Sequence, residues 1–302
     1  MSRARRLWFG ALPGKWAVAA ALGLALAVAV VVAWGSMASA SAKDSTKSSS
    51  AAFLAEQGVP PPGANDPNCR PDAAHPEPIV LVPGTFESMD RNWVDLSPLL
   101  AAKGYCVYSL NYGFTTGGGY ATGPIQDSAK ELRTFVNNVL ALTGAKKVSI
   151  VGHSQGGMMP RYYIKFLGGA KKVDDLVGLV PSNHGTSVTS GTTVQSSGGA
   201  STGPLTCTAC DQQQAGSAFL RKLNKGDETP GKVSYTVVTT RNDDVVVPYT
   251  SAFLAGPARQ VTNITIQDYY PADQFEHQGI TYDPNAFTFV FDALAHEGPA
   301  SP

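Results

Sequence analysis

The sequence predicts an α/β fold, in which a mostly parallel central sheet is covered by helices on both faces. The first observation is a series of short, apolar, β-branched runs that have the length and composition of buried strands. The second is the helical spacing of apolar residues between these runs, as over residues 126–142, where the pattern stops at Gly144. The predicted strands cover residues 78–82, 105–110, 147–151, 176–180, 233–239 and 264–266.

The N-terminal 42 residues have the pattern of a secretory signal peptide. Basic residues come first, then an uncharged apolar stretch over residues 16–34, then small residues with two Ala-x-Ala sites. The apolar stretch is long enough to span a bilayer, so an uncleaved membrane anchor is the alternative. Residues 43–60 are rich in Ser and Ala and predict a flexible spacer. Residues 61–302 remain as a single α/β domain.

The charge balance argues against a nucleic-acid partner. The predicted leader removes four of the 23 basic residues and none of the 23 acidic ones, which leaves the rest of the chain with a net charge of about −4. No basic cluster stands out in this remainder.

Four cysteines follow the leader, and their number suits an oxidising compartment. Cys69 precedes the first predicted strand, and Cys106 lies within the second. Cys207 and Cys210 form a Cys-x-x-Cys motif, but no further metal ligands stand nearby and the motif follows a Gly/Ser-rich loop. We therefore expect two disulfides, 69–106 and 207–210, and no metal.

A nucleophile elbow follows the third predicted strand. Residues 152–156 read Gly-His-Ser-Gln-Gly, a Gly-x-Ser-x-Gly motif between an apolar strand and a helix-length segment. This arrangement predicts the α/β-hydrolase fold, in which the serine stands on a sharp turn between small neighbours. Ser154 is the candidate nucleophile.

A serine nucleophile needs a histidine base, and in this fold the base comes last along the chain. Three histidines follow Ser154. His184 precedes every strand-end acid, so it either lines the site or is structural, and His296 lies in the C-terminal tail. His277, on the loop after the last predicted strand, is the best candidate base.

The acid that orients the base is predicted after the fifth strand. Asp243 and Asp244 both stand there, and because they are adjacent only one of them faces His277. Spacing leaves the choice between them open. Asp273 and Glu276 are so close to His277 in sequence that the fold is not needed to bring them there, and each is a candidate for a local salt bridge instead.

The oxyanion hole requires two backbone N–H groups that point at the developing negative charge. One belongs to Gln155, the residue after the nucleophile. The other is predicted at Thr85, because Pro83 and Gly84 place a turn directly after the first strand. The Thr85 hydroxyl is a candidate third donor.

Several segments of the chain resemble the secreted bacterial class 2 lipases and the fungal B-type lipases. The similarity covers residues 75–290 and includes Ile-Val-Leu-Val-Pro-Gly-Thr at 79–85, Asn-Trp at 92–93, Gly-Tyr at 104–105, Ser-Gln-Gly-Gly at 154–157, the segment 211–217 and Asp-Asp-Val-Val-Val-Pro at 243–248. The low-complexity loop 187–203 and the absence of an obvious lid depart from the pattern. This loop is either a solvated loop or a flap near the site.

The resemblance implies a nucleophile, an acid, a base and two oxyanion donors, respectively Ser154, Asp243, His277, Thr85 and Gln155. It also pairs Cys69 with Cys106. The implied protein is a secreted, monomeric triacylglycerol lipase or lipolytic esterase that forms an acyl-enzyme and needs no cofactor. Its implied substrates are acylglycerols or other esters at a lipid–water interface. The alternatives are an acyltransferase or polyester hydrolase with the same residues, and a non-catalytic lipid- or wall-binding protein. In every one of these functions except the binding role, residues 61–302 would be an α/β-hydrolase catalytic domain.

Overall fold

The computed structural model describes residue 45, residues 47–187 and residues 206–302. The predicted leader and nearly all of the 187–203 loop lie outside the described residues. The chain forms two units, 1–49 and 50–302, of which the second contains the sheet. Among the residues that the structure describes, no helix combines the length and the apolar character that crossing a membrane requires.

Within the described residues, six parallel strands form one open sheet. The strands are β1 (Ile79–Val82), β2 (Val107–Ser109), β3 (Val148–His153), β4 (Val173–Leu179), β5 (Ser234–Thr239) and β6 (Val261–Thr265). Their order in the sheet is β2-β1-β3-β4-β5-β6, which confirms the predicted fold class. Because all strands run the same way, their carboxyl ends and the loops that follow meet at one edge of the sheet.

Helices cover both faces of the sheet. Successive residues of a strand point to opposite faces, so β1 contributes Val80 and Val82 to one apolar core and Ile79 and Leu81 to the other. The helices that the structure describes after β1 are α1 (Met89–Asn92), α2 (Leu96–Ala102), α3 (Ile125–Thr143), α4 (Gln155–Phe166), α5 (Thr208–Gln212), α6 (Ala218–Leu223) and α7 (Pro284–Ala295). The first core contains residues of α3 and α4, and the second contains residues of α2 and α7.

Between β1 and β2, the spacing of apolar residues predicts one helix over residues 93–103 with Trp93, Leu96, Leu99 and Leu100 on one face, and the structure differs from this. Trp93 is buried after the end of α1, and the next helix begins only at Leu96. Leu99 is consequently exposed. Residues 50–55 also form a helix whose Leu54 is buried in the first core. This part of the chain is therefore not the flexible spacer that its composition predicts, because an apolar side chain anchors it.

Both predicted disulfides are present. Cys69 and Cys106 join the segment before β1 to the residue that directly precedes β2. Cys207 and Cys210 are joined across three positions at the start of α5. The described residues contain no group of potential metal ligands.

Removing the Cys69–Cys106 bridge is expected to destabilise the protein more than removing the Cys207–Cys210 bridge. The first closes a loop with a sequence separation of 37 and the second a loop with a separation of three. Chain entropy then predicts a loss of about 4 kcal/mol for the Cys69→Ala/Cys106→Ala variant and about 2 kcal/mol for Cys207→Ala/Cys210→Ala. Guanidinium unfolding measures both losses. Equal losses in the free energy of unfolding for the two variants would show that the Cys69–Cys106 bridge does not stabilise the protein through the entropy of closing its longer loop.

Candidate active site

The candidate residues lie on loops and turns that follow β1, β3, β5 and β6. Thr85 comes after β1, Ser154 after β3, Asp243 after β5, and His277 after β6. The parallel sheet therefore places all four at its carboxyl edge.

Ser154 stands between β3 and α4 with φ 53° and ψ −121°, a conformation that is strained for a residue with a Cβ. Its flanking glycines allow the turn. A Cβ on Gly152 would overlap the carbonyl group of Gly156, and a Cβ on Gly156 would overlap the carbonyl oxygen of Val82. Any larger residue at either position would force the elbow apart.

Asp243 and His277 form a buried pair. His277 Nδ1 lies 2.9 Å from Asp243 Oδ1, and their side chains are 5% and 1% exposed. The same oxygen accepts hydrogen bonds from the backbone N–H groups of Val245 at 3.0 Å and Val246 at 2.8 Å. Asp243 Oδ2 has no partner among the described residues. The neighbouring Asp244 is exposed.

The other two histidines make separate contacts. His184 lies 3.0 Å from Glu228 Oε1 and 3.0 Å from the carbonyl oxygen of Ser251, so it joins the loop after β4 to two other loops. His296 is partly exposed and lies 3.4 Å from Asp292 on α7. Neither arrangement involves Ser154.

The two acidic residues near His277 bind local groups. Asp273 is buried and accepts hydrogen bonds from the Phe275 N–H and from Asn285 Nδ2, while Glu276 accepts one from the Gly279 N–H. Neither residue makes a salt bridge among the described residues, and neutral N–H donors of their own loop and of α7 bind the carboxylates instead.

The backbone N–H groups of Thr85 and Gln155 have no acceptor among the described residues. The Gly84 N–H, in contrast, is taken by Asn92 Oδ1 at 2.7 Å. A Cβ on Gly84 would stand 3.3 Å from Ser154 Cβ, so the turn after β1 packs directly against the elbow. The Thr85 and Gln155 side chains also meet, with Gln155 Nε2 2.8 Å from Thr85 Oγ1.

His153 is a residue of the site that the sequence reasoning missed. Burial lowers the pKa of His153 to about 3, so its ring is neutral and carries one proton. Because a carbonyl oxygen only accepts, that proton belongs on Nε2, which lies 3.0 Å from the backbone oxygen of His277. His153 thereby ties the base loop to the nucleophile strand. Its position within the elbow motif, at the end of a buried strand, is the only sequence signal for this role.

Asn92, at the end of α1, is a second residue whose role the sequence does not predict. Its Oδ1 accepts a hydrogen bond from the Gly84 N–H. In this way α1 helps to hold the turn that packs against the elbow.

The open parallel sheet, with a strand–turn–helix elbow after β3 and a buried Asp–His pair at its carboxyl edge, is the fold of an α/β hydrolase. A family model described as "Lipase (class 2)" matches residues 76–287. The chain therefore belongs to the class 2 lipase family.

Curated relatives match a smaller part of the chain. A triacylglycerol lipase of Pseudarthrobacter phenanthrenivorans is 36% identical over 96 residues, which are 30% of this chain and 28% of the relative. One from Vibrio cholerae is 33% identical over 123 residues, 35% of this chain and 37% of the relative. The matches thus span well under half of these relatives.

Solved structures share the fold. Aspergillus fumigatus lipase B has a TM-score of 0.62 at 22% identity and covers 77% of this chain and 57% of its own. The mature form of Bacillus licheniformis lipase BlEst2 has a TM-score of 0.56 at 16% identity and covers 76% of this chain and 96% of its own.

Proposed function

We propose that this protein is a secreted serine hydrolase of carboxylic esters, a triacylglycerol lipase or lipolytic esterase that acts through an acyl-enzyme. Membership of the class 2 lipase family supports the substrate class, and the curated relatives are named as triacylglycerol lipases. The two disulfides support export, because such bonds persist in oxidising compartments.

The observation that carries the proposal is the contact between Asp243 and His277. The two residues are 34 positions apart and meet in a buried pair at the edge of the sheet where the nucleophile elbow lies. An Asp–His pair with a purely structural role would not have to lie beside a nucleophile elbow. The presence of both at the same edge of the sheet is what acyl transfer to a serine requires.

The first half of the reaction forms the acyl-enzyme. Ser154 Oγ attacks the ester carbonyl carbon while His277 Nε2 takes the hydroxyl proton. Asp243 keeps the Nδ1 proton of His277 in place and stabilises the imidazolium that forms. The negative charge on the former carbonyl oxygen is held by the N–H groups of Thr85 and Gln155. The proton on His277 then passes to the departing alcohol.

The second half releases the acid. Water gives a proton to His277 and attacks the acyl carbon, and the collapse of the second intermediate returns the proton to Ser154 Oγ. No step draws on a group beyond these residues, the ester and water.

A series of esters tests the proposal. The protein, produced with its own leader, is assayed on p-nitrophenyl esters of increasing chain length and on an emulsified triacylglycerol, below and above the solubility limit. We expect turnover of esters and stoichiometric labelling by a fluorophosphonate. A folded protein that neither turns over any ester nor takes the label would favour the lipid- or wall-binding alternative, and preferential transfer to an added alcohol would favour an acyltransferase.

A further inference from the structure

We propose that Gln213 and the side chain of Gln155 together fix the Thr85 hydroxyl so that its proton can be donated only to the ester oxygen. Gln213 is a positioning residue in this proposal, since it acts on the reaction through Thr85. The inference rests on the proposed ester-hydrolase function and deepens it by one residue.

The orientation of each glutamine amide is set by a backbone carbonyl. Gln155 Nε2 lies 2.7 Å from the carbonyl oxygen of Ala121, and Gln213 Nε2 lies 3.2 Å from that of Ala209. A carbonyl oxygen only accepts hydrogen bonds, so the nitrogen of each amide must face it. The Ser182 hydroxyl donates to Gln213 Oε1 at 2.7 Å, which agrees with the same orientation.

These two nitrogens also face Thr85. Gln155 Nε2 donates to Thr85 Oγ1 at 2.8 Å, and Gln213 Nε2 donates to it at 3.0 Å. A threonine hydroxyl has two acceptor sites and one proton. Both acceptor sites are therefore filled, and the Thr85 proton must point away from both glutamines.

The described residues offer that proton no acceptor. Thr85 is partly exposed, and it belongs to the turn that packs against Ser154. The two glutamines thus direct the proton away from themselves, and it remains available to a negatively charged oxygen in the site. A donor that is oriented before the charge develops needs no reorganisation during the reaction.

Gln213 itself is held firmly. It follows α5, its side chain is buried, and its backbone N–H and carbonyl bond to Ala209 and to the Thr186 N–H respectively. The Cys207–Cys210 bridge closes the start of the same helix. Gln213 therefore does not adapt easily to a different partner.

Gln213→Glu is the decisive variant, because a carboxylate accepts hydrogen bonds and cannot donate one. The Thr85 proton then turns toward the new carboxylate and is lost to the reaction. Removing one oxyanion donor typically costs a factor of about 10² to 10³. We therefore expect Gln213→Glu and Thr85→Val each to lower kcat by about 10²-fold with little change in KM. Thr85→Ser keeps the hydroxyl and should retain most of the activity.

A double-variant cycle separates this mechanism from simple charge repulsion. In the Thr85→Val background there is no proton to redirect, so adding Gln213→Glu should lower kcat by no more than about 3-fold. Repulsion of the negative transition state by the introduced carboxylate would act in either background, and multiplicative losses would overturn the proposal.

Gln212→Glu is the matched control, because it places the same charge one residue earlier, against Ile125 and Gln126. It should leave kcat nearly unchanged.

Two further measurements keep the result decisive. Gln213→Met removes the donor without adding charge and should lower kcat in the same direction, with melting temperature and circular dichroism as checks on folding. Neutron diffraction from deuterium-exchanged crystals of the unmodified protein locates the Thr85 hydroxyl deuteron independently of any activity. A deuteron directed at Gln155 or Gln213 would overturn the clamp, whereas a wild type that hydrolyses no ester would overturn the proposed function instead.

Discussion

Replacing Ser154 by alanine is expected to lower kcat for ester hydrolysis by about 10⁴-fold or more, because the atom that forms the acyl bond is removed while the rest of the site stays in place. The turn itself should survive. Serine and alanine both carry a Cβ, so the variant meets the positive φ of 53° at a similar cost. The melting temperature should therefore remain close to that of the wild type, and the thermal scan serves as the control for folding.

The fluorophosphonate provides an independent readout of the same variant. The wild type should take up one label, on the peptide that contains Ser154, and Ser154→Ala should take up none. Turnover that survives in a purified Ser154→Ala sample, at more than the trace level left by an oxyanion hole alone, would refute the assignment of the nucleophile.

Replacing Asp243 by asparagine should lower kcat by at least about 10²-fold, whereas Asp244→Asn should change it by less than about 2-fold. Asp243 Oδ1 already accepts from the N–H groups of Val245 and Val246, so an asparagine oxygen takes the same place and His277 keeps its contact. What is lost is the negative charge that stabilises the imidazolium. The loss should appear in kcat, with little effect on the free energy of unfolding.

Asp244→Asn is a close control because it makes the same chemical change one residue away, on an exposed side chain. Equal effects of the two substitutions would mean that the Asp243–His277 contact does not contribute to the reaction. A large loss for Asp244→Asn alone would transfer the role of the acid to that residue.

The sequence was sufficient for the fold class and for site candidates on the loops after four of the strands, because apolar strand runs and short motifs are patterns of neighbouring residues. It could not choose between Asp243 and Asp244 by spacing. The choice depends on how the turn after β5 presents its N–H groups, which bind Asp243 Oδ1. Only the resemblance to known lipases pointed to one of the two.

The supporting residues could not be predicted, because their contacts join distant parts of the chain. His153 meets the His277 backbone across 124 positions, and Gln213 meets Thr85 across 128. No periodicity or local motif encodes such a pairing. Residues 211–217, which include Gln213, belong to the resemblance to known lipases, but the sequence around a glutamine does not indicate which distant side chain it binds.

Two buried oxygen atoms of the site, Asp243 Oδ2 and Gln155 Oε1, have no hydrogen-bond partner among the described residues. Each such atom costs about 1–3 kcal/mol of folding free energy, so the site draws on a stability reserve that the sheet and its two apolar cores provide. Stabilising substitutions should therefore be sought far from the carboxyl edge of the sheet. There they raise the free energy of unfolding and leave the strained geometry of the site, on which turnover depends, unchanged.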